Sequence, residues 1–215
     1  MADQQSLNQL LQWGIENSSA SQSDPSTASH PKSDLNPKLL SELLGGPSDA
    51  DLMRMAMTSI LDAETPLDQK LIAWENLELL IEQIDNANNM EPLGLWPPLI
   101  KQLDNDEAEM RRSAAGCVAA AVQNNVKSQE IALGHDGLVD GLVKLATEDS
   151  TQAVRKKAIS ALSGLVRNFQ RGLDEVETKL PQDVWQRSKT GLDASDMEQV
   201  DTLIGRLRER SAARA

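Results

Sequence analysis

The sequence predicts an all-α fold, namely an armadillo- or HEAT-like solenoid of helical repeats with a flexible N-terminal extension. Three similar stretches open on the basic residues Lys70, Arg111 and Arg155, which lie about 41 and 44 residues apart. Repeats of roughly 40–47 residues are typical of helical units that stack on their neighbours. The composition agrees, because aromatic residues make up only 2% of the chain and tyrosine is absent. Strands would require more β-branched and aromatic side chains.

Each repeat is predicted to contain a short helix, a turn and a long helix. A long helix cannot cover its own apolar face, so neighbouring units have to stack to bury it. A helix is predicted at residues 51–61, and its candidate buried positions are Leu52, Met55, Ile60 and Leu61. The main helices that follow are predicted at residues 65–84, 107–124, 138–146, 152–168 and 195–212. Four of them have a predicted apolar face. The faces are Leu71, Leu77, Leu80, Ile81 and Ile84 in the first, Met110, Ala114, Val118, Ala121 and Val122 in the second, Leu138, Leu142, Val143 and Leu145 in the third, and Met197, Val200, Leu203, Ile204 and Leu207 in the last.

The N-terminal part of the chain differs from the repeats. Residues 5–17 are predicted to form an amphipathic helix, because Leu7, Leu10 and Leu11 share one stripe at helical spacing. The stretch that follows is rich in Ser and Pro and poor in apolar groups, so we expect a flexible linker. The predicted organisation is an N-terminal helix at 1–17, a linker at 18–34, armadillo-like repeats at 35–171, and a connection with a capping helix at 172–215.

The charge balance limits the classes of partner. The chain has 33 acidic and 21 basic residues, a formal net charge of −12 and a pI near 4.6. Nucleic-acid binding requires clustered Lys and Arg, so we expect neither nucleic acid nor an anionic membrane as partner. The N-terminal residues do not match a signal peptide, and no apolar run is long enough to span a bilayer. These features are typical of a cytosolic or nuclear protein. We expect a cytoplasmic location and a monomer.

No constellation for catalysis, metal or cofactor binding is evident. His30 and His135 are the only histidines and Cys117 is the only cysteine, which cannot make a zinc site of known spacing. Asp104 and Asp106 are interpreted as solvated turn residues. The sequence contains no phosphate-binding glycine loop and no Gly-x-Ser-x-Gly motif. We predict that the chain is not an enzyme and uses no cofactor, and that Cys117 is buried and inert.

Asparagine-rich segments lie near the ends of the long predicted helices. One interpretation is that they terminate helices, because Asn tolerates the left-handed conformation. The other is that their amides form a ladder along one edge of a concave face, where they would meet a polar partner surface. Both interpretations remain open on the sequence alone. The segments are Asp85-Asn86-Ala87-Asn88-Asn89, Gln123-Asn124-Asn125 and Arg167-Asn168.

Four ordered blocks of the sequence resemble the fungal Fes-type nucleotide exchange factors of the cytosolic seventy-kilodalton heat-shock chaperone. The resemblance covers roughly residues 7–170 and weakens after Arg171. The blocks are Leu10-Leu11-Gln12-Trp13-Gly14-Ile15-Glu16-Asn17-Ser18, the segment from Leu80 to Asn89 followed by Leu95-Trp96-Pro97-Pro98-Leu99, the segment from Ala121 to Gln129, and the segment from Ala161 to Asn168.

The resemblance implies a mechanism and a set of contact residues. The concave armadillo surface is expected to grip one lobe of the chaperone's ATPase domain in an opened conformation, so that ADP leaves and ATP replaces it. If Ala87 faces the partner, Ala87→Arg should block this grip. The contact residues that the resemblance suggests are Asp85, Asn86, Ala87, Asn88 and Asn89, followed by Gln123, Asn124, Arg167 and Asn168.

Two other functions are compatible with the sequence. An armadillo adaptor would hold an extended peptide along the amide ladder, but such adaptors pair Asn with Trp on one helix. Here Trp74 and Trp96 do not fall at matching repeat positions. A regulatory subunit of another enzyme would also suit an acidic helical array.

Overall fold

The computed structural model describes residues 46–187 and 190–214. The chain divides into two units, Met1–Asp51 and Leu52–Ala215. Apart from residues 49–51, the described helices belong to the second unit. The helix predicted at 5–17 and the linker predicted at 18–34 lie outside the described residues. The predicted division into four segments therefore stays a prediction.

The described residues contain ten α-helices, which we number in chain order. Helices α1 to α5 are Asp49–Leu61, Leu67–Ile81, Ile84–Asn89, Trp96–Lys101 and Ala108–Val122. Helices α6 to α10 are Val126–Leu133, Leu138–Glu148, Gln152–Val166, Gln170–Lys179 and Met197–Ala213. A short 3-10 turn, Gln102–Asp104, follows α4.

The long helices stack side by side. Helices α2, α5 and α8 each have 15 residues, and they begin at Leu67, Ala108 and Gln152. Helix α5 packs between α2 and α8, and α10 packs on the other side of α8. The stack α2–α5–α8–α10 therefore has the repeat spacing of 41 and 44 residues that the sequence predicts. The prediction of an all-α, armadillo-like array is confirmed.

The basic residues that reveal the repeat have a structural role in α5 and α8. Arg111 and Arg155 each occupy the fourth position of their helix. The Nη1 atom of Arg111 donates to the carbonyl oxygens of Asn105 and Asp106, both at 2.8 Å. The Nη1 atom of Arg155 donates in the same way to the carbonyls five and six residues earlier, at 3.1 and 2.8 Å. Each arginine thus stabilises the turn before its own long helix by hydrogen bonds to the carbonyl oxygens of that turn.

The same two arginines also connect successive units. Arg111 Nε donates to the Asp149 carboxylate at 2.7 Å, in the turn that precedes α8. Arg155 donates to Ser211 twice, from Nε to Oγ at 3.1 Å and from Nη2 to the carbonyl oxygen at 2.8 Å. Because Arg155 is only 1% exposed, its guanidinium depends on these acceptors for solvation.

The predicted apolar faces of α5 and α7 are buried, and that of α10 is buried except at Met197, which is half-buried. One continuous core joins them, and Trp74 and Trp96 are its largest fully buried side chains. Trp74 is fully buried, and its Nε1 donates to the Met110 sulfur at 3.3 Å, so that α2 and α5 are tied together. The confirmed core positions are Met110, Ala114, Val118, Ala121 and Val122 in α5, Leu138, Leu142, Val143 and Leu145 in α7, and Val200, Leu203, Ile204 and Leu207 in α10.

The buried face predicted for α1 is wrong except at Ile60. Met55 is 62% exposed, Leu61 47% and Leu52 36%. The buried residues are Met53, Ala56, Met57 and Ile60. These four follow the i, i+3, i+4, i+7 spacing of a single helical stripe, which the predicted set does not.

The helix predicted over 65–84 is broken into two. Helix α2 ends at Ile81, and α3 begins at Ile84 after Gln83, whose backbone is extended with φ −80° and ψ 128°. The side-chain amide of Asn86 donates to the carbonyl oxygen of Leu80 at 3.0 Å, which satisfies an acceptor at the end of α2. Ile84, predicted to be in the apolar face, is 57% exposed.

Candidate protein-binding groove

A groove crosses the stack of long helices. It consists of two adjoining depressions with volumes of about 450 and 490 Å³, which share Ala119, Gln123, Asn124 and Ser160. Helix α5 lies in the middle of its floor, with α2 on one side and α8 and α10 on the other. The remaining lining residues are Glu78, Glu82, Ile84, Gly116, Ala120, Lys157, Ser163, Gly164, Arg167 and Arg208.

The groove lining follows the register of the repeats. Counted from the first residue of α2, α5 or α8, the lining residues of these helices and their C-caps fall at positions 6, 9, 12, 13 and 16. These positions lie on one helical face. In α5 and α8 they are occupied mostly by Gly, Ala and Ser, so the floor is shallow and its backbone is close to the surface. A partner element can therefore approach these helices closely.

An ion pair crosses the groove floor. Lys157 Nζ of α8 lies 2.8 Å from Glu78 Oε1 of α2, a contact between helices that are not neighbours in the stack. The Glu78 carboxylate passes over Gly116 of α5, where a Cβ atom would come within 2.8 Å of Glu78 Oε2. Gly116 is thus the residue that leaves room for the pair. Since both side chains are about one-third exposed, the pair contributes little to stability.

The charge of the groove changes sign along its length. The C-cap residues of the long helices are Glu82 in α2, Gln123 in α5 and Arg167 in α8. Arg167 Nε donates to Ser163 Oγ at 3.1 Å, and its Nη2 pairs with the Asp201 carboxylate of α10. The groove is therefore acidic at α2, neutral at α5 and basic at α8.

Arg208 adds to the basic end of the groove. It is exposed on α10 and has no hydrogen-bond or ion-pair partner among the residues that the structure describes. Glu82, at the opposite end, is likewise exposed and without such a partner. Both charges are therefore available to an external surface.

Three of the nine contact residues suggested by the resemblance line the groove. They are Gln123 and Asn124, which are exposed, and Arg167, which is half-buried. Asn168 is exposed but is not among the lining residues. Asp85 and Asn89 are also exposed, on α3, outside the lining.

Asn86 and Ala87 do not lie on the surface. Asn86 is 6% exposed, and Ala87 is 2% exposed within the apolar core, where its carbonyl oxygen accepts from Ser128 Oγ at 3.4 Å. The condition on which the Ala87→Arg prediction depends is therefore not met. An arginine at this position would disrupt the core and would not probe a surface contact.

The helix-end interpretation holds for two asparagines. Asn124 and Asn168 adopt positive φ angles of 53° and 54°, directly after the C-caps of α5 and α8. The segment at residues 85–89 does not occupy the equivalent position directly after the C-cap of α2, because it forms most of α3. Only two residues, Glu82 and Gln83, separate α2 from α3, and Gln83 has a negative φ.

Several groove residues were not predicted from the sequence. Glu78, Lys157 and Ser160 line the groove, and the amide of Gln129 donates to the carbonyls of Gly164 and Arg167 at 2.7 and 3.2 Å. The lining could have been predicted from the repeats, because equivalent lining residues lie the same number of positions after Lys70, Arg111 and Arg155. Gln129 could not have been predicted in this way, because its helix α6 was not predicted.

Burial raises the pKa of the Cys117 thiol well above its ordinary value, and the nearby charge of Glu78 adds to this effect. Cys117 is fully buried, as predicted. Within 46–187 and 190–214, no group of three His, Cys, Asp or Glu residues is arranged to hold a metal ion. The helices of the same ranges include none with the length and apolarity needed to span a membrane.

The fold and groove define a protein of the helical-repeat class with a continuous groove across its long helices. The model of the family "Nucleotide exchange factor Fes1" matches residues 7–90, and that of the "SIL1/FES1/HPBP1 C-terminal domain" matches residues 86–174. A relative from Gibberella zeae, named Hsp70 nucleotide exchange factor FES1, is 49% identical over 98% of each chain. The chain therefore belongs to the Fes1 nucleotide exchange factor family.

Further relatives agree with this assignment. One from Coccidioides immitis with the same name is 44% identical over 94% of this chain and 97% of its own. One from Schizosaccharomyces pombe is 47% identical over 71% of this chain, which corresponds to 50% of the relative. The crystal structure of an engineered protein has a TM-score of 0.51 with 19% identity, and it covers 83% of this chain and 72% of its own. That similarity concerns the fold alone.

Proposed function

We propose that this chain is a nucleotide exchange factor that binds the ATPase domain of a cytosolic heat shock protein 70 chaperone and promotes release of ADP. The observation that supports this best is the 49% identity, over 98% of the chain, to a protein named as an Hsp70 nucleotide exchange factor. We further propose that the chain acts as a cytoplasmic monomer.

The proposed mechanism follows from linkage. A protein that binds the opened, nucleotide-poor state of the ATPase domain more tightly than the closed state must weaken nucleotide binding by the same factor. Such couplings are typically about 1–3 kcal/mol, or roughly 5–150-fold in affinity. The exchange factor acts by holding a conformation and requires no nucleotide site of its own.

The groove across α2, α5, α8 and α10 is the surface that we propose for this contact. Its floor is shallow at Ala119 and Ser160, and its ends carry charges that are available to a partner. Among the contact residues suggested by the resemblance, we retain Gln123, Asn124 and Arg167, because they line this groove. We also propose contacts at the periphery of the groove, by the exposed residues Asp85, Asn89 and Asn168 and by the half-buried Asn88. Asn86 and Ala87 are buried and are not proposed as contacts.

The test is release of a fluorescent ADP analogue from the purified ATPase domain at increasing concentrations of this chain. The expected result is an acceleration that saturates, together with a lower equilibrium affinity for ADP. The blocking variant is Ala119→Arg, because Ala119 is half-buried at the centre of the groove and arginine is a good helix former. It should abolish the acceleration.

The matched control is Ala153→Arg, an exposed alanine of α8 outside the groove. This variant should accelerate release as the wild type does. If the wild-type chain binds the ATPase domain without accelerating release, the exchange function is wrong, and an adaptor becomes the better interpretation. If Ala119→Arg and Ala153→Arg behave alike, the groove is not the contact surface.

A further inference from the structure

Three large apolar side chains are exposed at the α2 end of the stack. Ile72 is 58% exposed, Leu79 63% and Ile84 57%. Soluble proteins rarely leave such a group of side chains uncovered without a partner. Ile84 lines the groove directly.

The repeat register places Ile72 and Leu79 on the same surface. Ile72 is at position 6 of α2, and the residue at position 6 of α8 is Lys157, which lines the groove. Leu79 is at position 13, and the residues at this position in α5 and α8 are Ala120 and Gly164, which also line it. The groove surface therefore continues over α2 and becomes apolar there.

Acidic side chains surround this apolar group. Glu75 is exposed at position 9 of α2, between Ile72 and Leu79, and Glu82 is exposed at position 16. Neither carboxylate has a partner among the residues that the structure describes. A surface of this kind complements apolar side chains that are bordered by Lys or Arg.

We propose that Ile72, Leu79 and Ile84 form the principal anchoring site of the groove, and that they bind an apolar protrusion of a folded partner bordered by basic residues. Arg208, which has no ion-pair partner among the described residues, then faces an acidic residue of the same partner at the other end of the groove. The opposite charges at the two ends of the groove fix the direction in which the partner lies. This inference rests on the proposed function, under which the partner is the ATPase domain.

The test measures the affinity of full-length variants for the purified ATPase domain by calorimetry. The double variant Ile72→Ser/Leu79→Ser should bind at least about tenfold more weakly, because two large apolar contacts are lost. Both side chains are more than half exposed in the free protein, so folding should change little. The matched control is Met55→Ser, which removes another apolar side chain, 62% exposed on α1. It should bind within twofold of the wild type.

A second pair of variants tests the charge arrangement. Glu75→Lys/Glu82→Lys should weaken binding by about tenfold at low salt, and the difference should shrink as the ionic strength rises. Stronger binding by this variant would overturn the proposed basic border. If Ile72→Ser/Leu79→Ser binds as the wild type does while Ala119→Arg does not bind, the anchoring site is wrong but the groove remains. If the wild-type chain does not bind the ATPase domain, the proposed function fails, and this inference fails with it.

Discussion

At the scale of single residues, the repeat signal in this sequence has a structural origin. Arg155 is almost completely buried and donates to the carbonyl oxygens of Asp149, Ser150 and Ser211 and to the Ser211 hydroxyl. A lysine donates from a single nitrogen atom, so it cannot reach these acceptors in the planar arrangement of a guanidinium. The position therefore requires an arginine for folding, independently of any partner.

Replacing Arg155 should be strongly destabilising. Arg155→Met leaves buried carbonyl oxygens without donors, and we expect the free energy of unfolding to fall by about 3 kcal/mol. Arg155→Lys retains the charge and should cost about half as much. The measurement is urea denaturation followed by circular dichroism. Arg112→Met, at the exposed neighbour of Arg111, is the control and should change stability by less than about 0.5 kcal/mol. A similar loss in both Met variants would contradict this role.

At the scale of helices, the sequence predicted some elements well and others poorly, for identifiable reasons. Helix α5, at Ala108–Val122, was predicted to within two residues because its apolar positions have one clear period. The break between α2 and α3 was missed because neither Gly nor Pro marks it and Ile84 continues the apolar period. Ile84, one of the three residues of the proposed anchoring site, was predicted as core for the same reason, because a large apolar residue on a helix is ordinarily interpreted as core.

Two helical glycines give a prediction at this scale. A Cβ atom at Gly172 of α9 would lie 2.5 Å from the carbonyl oxygen of Leu165 and 2.7 Å from the Phe169 ring. Because the nearest atom belongs to the backbone of α8, Gly172→Ala should destabilise the protein by about 1–3 kcal/mol. Gly205 of α10 has nothing within 4 Å of its Cβ position, so Gly205→Ala should stabilise by up to about 1 kcal/mol.

The measurement for this pair is the midpoint of urea denaturation at constant slope. The two alanine variants differ only in the space around the added methyl group, so each serves as the control of the other. Equal shifts of the midpoint would mean that α9 does not approach α8 as closely as the structure shows.

At the scale of the whole array, the described helices share one core. The stack α2–α5–α8–α10 has no internal boundary, and Lys157 joins α8 to Glu78 of α2 across the intervening helix. Repeat arrays in which each unit depends on its neighbours unfold together when the interfaces are stronger than the units themselves. An exchange factor benefits from such coupling, because a rigid array can hold its partner in one conformation.

Hydrogen exchange measured by mass spectrometry should therefore give the same opening free energy for the centres of α2 and α8, within about 1 kcal/mol. Gly172→Ala, in α9, should lower both values equally, and Gly205→Ala should raise both. The reason is that loss of any interface in a cooperative stack exposes the core shared by all its helices. Lower protection of α8 and α9 in Gly172→Ala, with α2 unchanged, would show that the repeats open one at a time. A partner bound at the α2 end of the groove would then be held by a unit that moves independently of α8, and the groove could not act as one rigid surface.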